Sequence, residues 1–280
     1  MRCRNVCHVF LSLVVAYVIL PAMDAFCGAM SPLAAADPLP EAGNQPSESI
    51  VGKKTYDTVE VKKTQRRGLP DIVMSYPQFG IAAVDKDIAQ WCQYIAASFE
   101  RDFSTSEIYE PSSPLEEAKR PVSSLSASFT VSSPSCSVVS LVFSLWMCTV
   151  NESAAFDSQA LSSINYSQDV LTLNYNLDTG QRLHLVDIFE DAGKSLAILS
   201  QMSRTALARS VGRGHVDAVI LRGTEPEMEN FSSLALTSDG VRVYFQPYQV
   251  STLAGSQAVD VPLEALLEAG PMLSLWGRGK

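Results

Sequence analysis

The chain has 280 residues, 46% of them apolar and 18% charged, which is enough to build a sizeable core and excludes global disorder or a collagen-like repeat. Its 21 Lys and Arg against 30 Asp and Glu leave a formal charge of −9. That balance argues against a general nucleic-acid binder, because phosphate backbones select for clustered cations.

Residues 1–36 read as a secretory signal peptide. Arg2 and Arg4 form a short basic segment, Val9 to Leu20 is almost unbroken apolar, and small residues follow at Ala25, Ala29 and Ala34 to Ala36. The apolar run reaches about 15 residues, short of the ~20 of a spanning helix. Cleavage is expected after Ala25, Ala29 or Ala36, with an uncleaved anchor as the alternative. No later segment has the apolar length of a membrane span, so the mature chain is expected to be exported, either periplasmic or extracellular. Residues 37–54 are rich in Pro, Glu, Ser and Gly and read as a disordered linker.

Residues 55–150 predict an N-terminal half. Thr55–Lys63 reads as an edge strand guarded by lysines, the alternative being a basic contact to an anionic surface. Asp71–Tyr76 is a second strand. Asp85 is placed as an N-cap, and the spacing of Ile88, Trp91, Cys92, Ile95 and Phe99 predicts an amphipathic helix over Lys86–Phe103. A long loop over Ser104–Ser124 follows, then strands Leu125–Ser132 and Ser137–Val150. The second of these is apolar on both faces, as a central, covered strand would be.

Residues 151–270 predict a C-terminal half, with a tail at 271–280. Strands are expected at Asp169–Leu177, Gln181–Leu185, Phe231–Thr237, Val241–Gln246 and Gln257–Val261. A helix is expected over Ala192–Val211, and another opens at Pro262 and ends at Gly270. Strands and helices mix without regular βαβ alternation, which predicts an α+β fold with mixed or antiparallel sheets, helices packed on one face and two interlocking halves.

Cys92, Cys136 and Cys148 remain once the signal is gone. Cys136 and Cys148 bracket one strand of twelve residues, about 40 Å at ~3.4 Å each, whereas a bridge needs Cα atoms within ~7 Å. A bridge from Cys92 to Cys148 or Cys136 is therefore expected, with three buried free thiols as the alternative. No spacing resembles a zinc site, and no cofactor is expected.

Catalytic signals are sparse. His184 and His215 have no Gly-x-Ser-x-Gly nucleophile turn to serve. Asp187, Glu190 and Asp191 could form a carboxylate pair, but they read better as turn-ordering and helix-capping residues. Tyr244 and Tyr248, with Phe245 and Pro247, are candidates for a binding surface, weighed against burial in the core.

The run Leu171 to Phe189, with its Asp178-Thr-Gly180 turn and Leu185-Val-Asp187-Ile-Phe189 ending, is followed by Leu234 to Val250 with Asp239-Gly240 and Tyr244-Phe245-Gln-Pro247-Tyr248. Ala254-Gly255 and Val259-Asp-Val261-Pro262-Leu263 complete the pattern. Together these resemble the extracytoplasmic domain (DUF4163 plus DUF3298) shared by lysozyme-sensing anti-sigma factors and the non-catalytic N-terminal regions of peptidoglycan deacetylases. The resemblance implies a non-enzymatic envelope binding module for a cationic secreted protein such as a lysozyme, or for peptidoglycan, with Tyr244, Tyr248 and Asp187 as candidate binding residues. A hydrolase of envelope polymers using the acids at 187–191, or a membrane-tethered structural protein, are the alternatives.

Overall fold

The computed structural model describes residues 56–64, 69–104, 122–150, 164–252 and 255–279, all within one compact unit, Ser47–Lys280. The expected signal peptide, the linker and most of the expected loop over 104–124 lie outside the described residues. The architecture is α+β. A mixed sheet of six strands runs in the order β1 (Asp57–Lys63), β2 (Asp71–Gln78), β3 (Ser124–Ser135), β4 (Val138–Val150), β5 (Ile164–Asn176) and β6 (Gln181–Leu183). Only the β2–β3 pair is parallel, and its crossover carries helix α1 (Ala82–Phe103). β5 and β6, from the expected C-terminal half, thus complete the sheet begun by the N-terminal half.

α1 forms where the apolar period is 3.6. Val84, Ile88, Cys92, Ala96 and Phe99 lie on one stripe and are buried against Ile72, Met74, Leu125, Leu141, Phe143 and Tyr175 of the sheet. Each Val, Leu, Ile, Met or Phe among them contributes about 1.5–3 kcal/mol by leaving water. The helix starts four residues earlier than the spacing predicts. Asp85 does not cap it: its carboxylate turns back to accept the Phe79 N–H at 2.8 Å, while its own N–H donates to Ile81. At the far edge, Tyr175 donates its hydroxyl to Asp87 of α1 at 2.7 Å, and Arg182 of β6 stands 3.8 Å from the same carboxylate.

The second layer begins after β6 with a short helix α2 (Leu185–Ile188), then α3 (Ala192–Ser210) and α4 (Ala218–Gly223). An antiparallel sheet of β7 (Leu234–Thr237), β8 (Gly240–Phe245) and β9 (Gln257–Pro262) follows, closed by α5 (Leu263–Leu266) and 3-10 turns at Leu267–Ala269 and Leu273–Trp276. Leu196, Leu199 and Leu207 of α3 pack with Val241, Val243 and Phe245 of β8 and with Leu263 and Leu266. Gly240 turns β7 into β8, where a Cβ would come within 2.2 Å of the Val261 carbonyl, so no other residue fits.

β7 meets the six-stranded sheet through its free edge. Ala235 and Thr237 face β8, so Leu234 and Leu236 direct their backbone groups the other way. Three polar side chains from one row of the large sheet receive them. Ser132, Ser140 and Asn174 are direct cross-strand neighbours on β3, β4 and β5. Ser140 Oγ accepts the Leu236 N–H at 2.8 Å, Ser132 Oγ donates to the Leu236 carbonyl at 2.7 Å, and Asn174 Nδ2 donates to the Leu234 carbonyl at 2.9 Å. Two rows further on, the Gln246 side-chain amide takes up the Val170 N–H and carbonyl on the free edge of β5, joined by the Ser233 hydroxyl.

Two expectations change. Cys92, Cys136 and Cys148 are all free, so the bridge from Cys92 to Cys148 or Cys136 is not formed. Cys92 points from α1 into the core, Cys136 lies exposed in the β3–β4 turn, and Cys148 is half-buried near the other end of β4. β4 is likewise not covered throughout: Val138–Phe143 is buried on both faces, but Trp146 is exposed.

Replacing Ser140 by Ala leaves the Leu236 N–H without an acceptor in a dry seam. The expected loss is about 1–3 kcal/mol in a denaturant titration, while Ser126→Ala, on the open part of the same face, stays within about 0.5 kcal/mol. Equal midpoints for the two variants would remove the seam from the account.

Candidate functional site

The acids near 187–191 serve the backbone. Asp187 Oδ2 accepts the His184 N–H at 2.9 Å and the Asp187 N–H donates to the His184 carbonyl, so the pair closes the start of α2. His184 is therefore a helix-entry residue, not the strand residue expected from Leu183 and Leu185. Asp191 is the N-cap of α3 and accepts the Lys194 N–H at 2.8 Å. Glu190 lies over Gly270, where a Cβ would come within 2.9 Å of its carboxylate. His215 sits exposed in the turn after α3, its N–H donating to Gly212. Among the described residues no cluster of His, Cys, Asp or Glu could hold a metal ion, and no helix is long and apolar enough to cross a membrane.

Burial pushes the Cys92 thiol of α1 and the Asp169 carboxyl of β5 upward. The Cys92 thiol is raised to about 12, which leaves it protonated and unreactive at neutral pH. The Asp169 carboxyl, opposite Leu145 on the α1 side of the sheet, is raised above its ordinary 3.8 by desolvation.

The candidate binding residues separate. Asp187 belongs to α2, against β6 and the 269–272 segment. Tyr244 and Tyr248 share the end of β8. Val241, Val243 and Phe245 face the second core, while Arg242 and Tyr244 face the other way. Tyr244 is half-buried against Val142, Val170 and Ala235. Arg242 forms two hydrogen bonds to Asp260, at 2.6 and 2.8 Å, and holds that carboxyl below its usual range.

Tyr248 projects instead. The residue is 62% exposed and its backbone is left-handed, with φ 64°, unusual for a bulky residue. Gln249 fixes this turn. It accepts the Gln246 N–H at 2.9 Å through Oε1, and its Nε2 donates to the carbonyls of Gly223 and Asn230 at 3.0 and 3.1 Å. Any side chain at Gly223 would meet the Gln249 carbonyl at 2.0 Å. The turn is thus fastened to both ends of loop 224–230, which presents Glu225, Glu227, Met228 and Glu229 to solvent. The loop is anchored below by Thr224, whose carbonyl accepts from Ser200 and whose hydroxyl accepts from Arg204 of α3. Sequence reasoning named Tyr248 but not these glutamates, because Glu225-Pro-Glu-Met-Glu229 looks like any solvated connection until Gln249 joins it to an aromatic turn.

The residues that build this surface fall inside a family match. Residues 186–264 match the family described as a protein of unknown function, DUF3298. A DUF3298 domain is present. It spans α3, α4 and the three-stranded sheet. The peptidoglycan-N-acetylmuramic acid deacetylase PdaC of Bacillus subtilis (strain 168) is 32% identical over 91 residues, which make up 32% of this chain and 20% of that protein. The chain thus spans about a fifth of that relative's length. A DUF3298 family protein of Pseudomonas aeruginosa PAO1 has a crystal structure similar to this one, with a TM-score of 0.49 and 12% identity, covering 80% of this chain and 98% of that one. A DUF3298 member from Bacteroides fragilis NCTC 9343 gives a TM-score of 0.48 and 14% identity, covering 80% and 97%.

Two outcomes follow. Asp187→Ala and Asp191→Ala each remove a helix-entry acceptor and are expected to lower stability by about 1 kcal/mol in a denaturant titration. Asp169→Asn acts with the opposite sign. A carboxyl whose folded pKa is raised disfavours the folded state once it is ionised, and the penalty disappears as pH falls below the unfolded value. The Asn variant is therefore expected to unfold later than the parent at pH 7, and the difference is expected to close in acid. A gap that persists unchanged at low pH would show that desolvation of Asp169 is not its source.

Proposed function

We propose that this chain is an exported binding module of the bacterial cell envelope, acting without catalysis, that captures a cationic secreted protein such as a lysozyme. The observation that carries the reading is the surface of Tyr248 and loop 224–230. The turn that carries an exposed aromatic is bonded through Gln249 to both ends of the loop that carries Glu225, Glu227 and Glu229. A rigid aromatic supplies contact area at low entropic cost, and the carboxylates steer a positive partner onto it. Residues 69–280 contain 13 basic and 24 acidic residues, so the field of the folded body works in the same direction.

Three further points support the reading. The apolar segment after Arg2 and Arg4 has the layout of a signal peptide, which supports a location outside the cytoplasm. The relative with the 91-residue match is named for an activity on peptidoglycan. The motifs around Asp178-Gly180 and Asp239-Gly240 resemble those of lysozyme-sensing proteins, with residues 55–150 as the companion DUF4163-like half.

Titration of the full processed chain with a basic lysozyme tests this. Replacing Glu225, Glu227 and Glu229 together by Gln is expected to slow association and flatten its salt dependence. Tyr248→Ala is expected to speed dissociation and weaken binding about tenfold or more with an unchanged unfolding midpoint. Binding that survives both changes, or no binding by the parent chain, overturns the proposal.

A further inference from the structure

Among the described residues, the face of the six-stranded sheet that receives β7 is only half covered. Successive cross-strand rows on β3, β4 and β5 share this face. The first, Ser132–Ser140–Asn174, holds the β7 edge, and the next, Thr130–Val142–Thr172, packs in part under Ala235 and Tyr244. Below these lie Ser128–Ser144–Val170, then Ser126–Trp146–Gln168, then Ser124–Cys148–Tyr166. Trp146 is 55% exposed and Tyr166 is 79% exposed. They sit on adjacent strands as diagonal neighbours, a relation that places Cβ atoms about 7–8 Å apart, within reach of one extended ligand. Ser126 and Ser128 are exposed beside them, and Ser144 and Gln168 are half-buried.

We infer that this open half-face is a glycan-binding platform that takes the uncharged side of a peptidoglycan glycan strand. A β-linked hexosamine ring offers an apolar C–H face and a rim of hydroxyl and acetamido groups. Trp146 and Tyr166 match the first by stacking, and the Ser hydroxyls and the Gln168 amide match the second. Charge selects among partners. On β3, β4 and β5 the three lower rows carry no carboxylate, amine or guanidinium, and where they continue onto the neighbouring strands they meet one charge of each sign, Asp71 of β2 opposite Ser124 and Lys62 of β1 opposite Val73. Polyanionic wall polymers are repelled by the net charge of −11 over residues 69–280, and the rows that carry Trp146 and Tyr166 offer a cationic protein a single carboxylate, Asp71, offset by Lys62. An uncharged, hydroxyl-rich polymer meets neither obstacle. Large aromatics left in water beside hydroxyl groups are also unlike a sheet face that is merely solvated, where long charged side chains normally stand. The inference rests on the envelope placement proposed above, but on different residues from the Tyr248 surface, so each can fail alone.

The test is co-sedimentation of the full processed chain with insoluble peptidoglycan stripped of its anionic polymers, with titration by a soluble N-acetylglucosamine hexamer followed by tryptophan fluorescence. The parent chain is expected to sediment and to respond to the hexamer. Trp146→Ala and Tyr166→Ala are each expected to weaken binding about tenfold or more, with unfolding midpoints unchanged. Tyr94→Ala, an exposed aromatic on α1, is expected to bind like the parent. The glutamate-loop and Tyr248 variants are expected to keep glycan binding, which separates this platform from the protein-capture surface. Four results would overturn it: no sedimentation of the parent chain, binding that survives the Trp146 and Tyr166 changes, binding that requires the anionic polymers, or self-association of the chain that these two changes abolish.

Discussion

The fold depends on how an unpaired strand edge is buried. β7 has only four residues and pairs on one side with β8, so its other side presents the Leu234 carbonyl and both backbone groups of Leu236 to the face of another sheet. A sheet face made of Val and Leu would pack well against side chains but would leave three orphan groups there, each costing on the order of 1–3 kcal/mol. The row Ser132–Ser140–Asn174 resolves this by offering side chains in place of a neighbouring strand. Because the three residues come from three adjacent strands, β7 must run across the large sheet rather than along it. That crossing directs the second layer to the upper rows and leaves the lower ones open. The same logic recurs at Val170, where the Gln246 amide stands in for the strand that β5 lacks beyond its short pairing with β6.

Much of this was legible in the sequence wherever local periodicity and tertiary coverage agree. The stripe from Ile88 to Phe99, the Asp178-Thr-Gly180 and Asp239-Gly240 turns, and the Pro262 and Gly270 punctuation all act locally, and a helix, two hairpin turns and a closing helical segment stand at those signals. The misreadings come from contacts made at a distance. Asp85 has the chemistry of an N-cap but is drawn back to Phe79, so α1 begins a turn earlier. His184 lies between two leucines, which mimics strand alternation, yet Asp187 closes a helix onto its N–H. The apolar run of β4 suggested cover along its whole length. Coverage stops partway because β7 is short and crossing, and the serines alternating along Ser124 to Ser128 on β3 are the local trace of that stop.

The cysteines follow the same division. A bridge was expected from compartment and strand length, but neither consideration says which way a helix faces. Cys92 belongs to the apolar stripe of α1, two turns from Val84, so the packing of that helix turns its sulfur toward Ile72, Met74 and Tyr76 and away from either partner. The carboxylates near 187–191 were read more accurately because capping is a short-range demand. Two consecutive helices begin within a few residues, each needs an acceptor for its first N–H groups, and Asp187 and Asp191 supply them. The geometry that would have suited a catalytic pair is spent on helix entry.

The two candidate surfaces are mechanically joined, and the joint is Gln246. Its side chain is locked to Val170, one row above Trp146 and Gln168, while its own N–H and carbonyl are held by Gln249. Gln249 in turn fixes the left-handed Tyr248 and both ends of the glutamate loop. The chain of contacts from the open rows of the large sheet to the acidic loop therefore passes through two glutamine side chains, each with donor and acceptor satisfied by backbone. Such amide forks have little freedom once both ends are bonded, so the two surfaces are held in a fixed relation. The two roles proposed for these surfaces both call for that rigidity, because a loop free to swing would give up the preorganisation on which a binding surface depends.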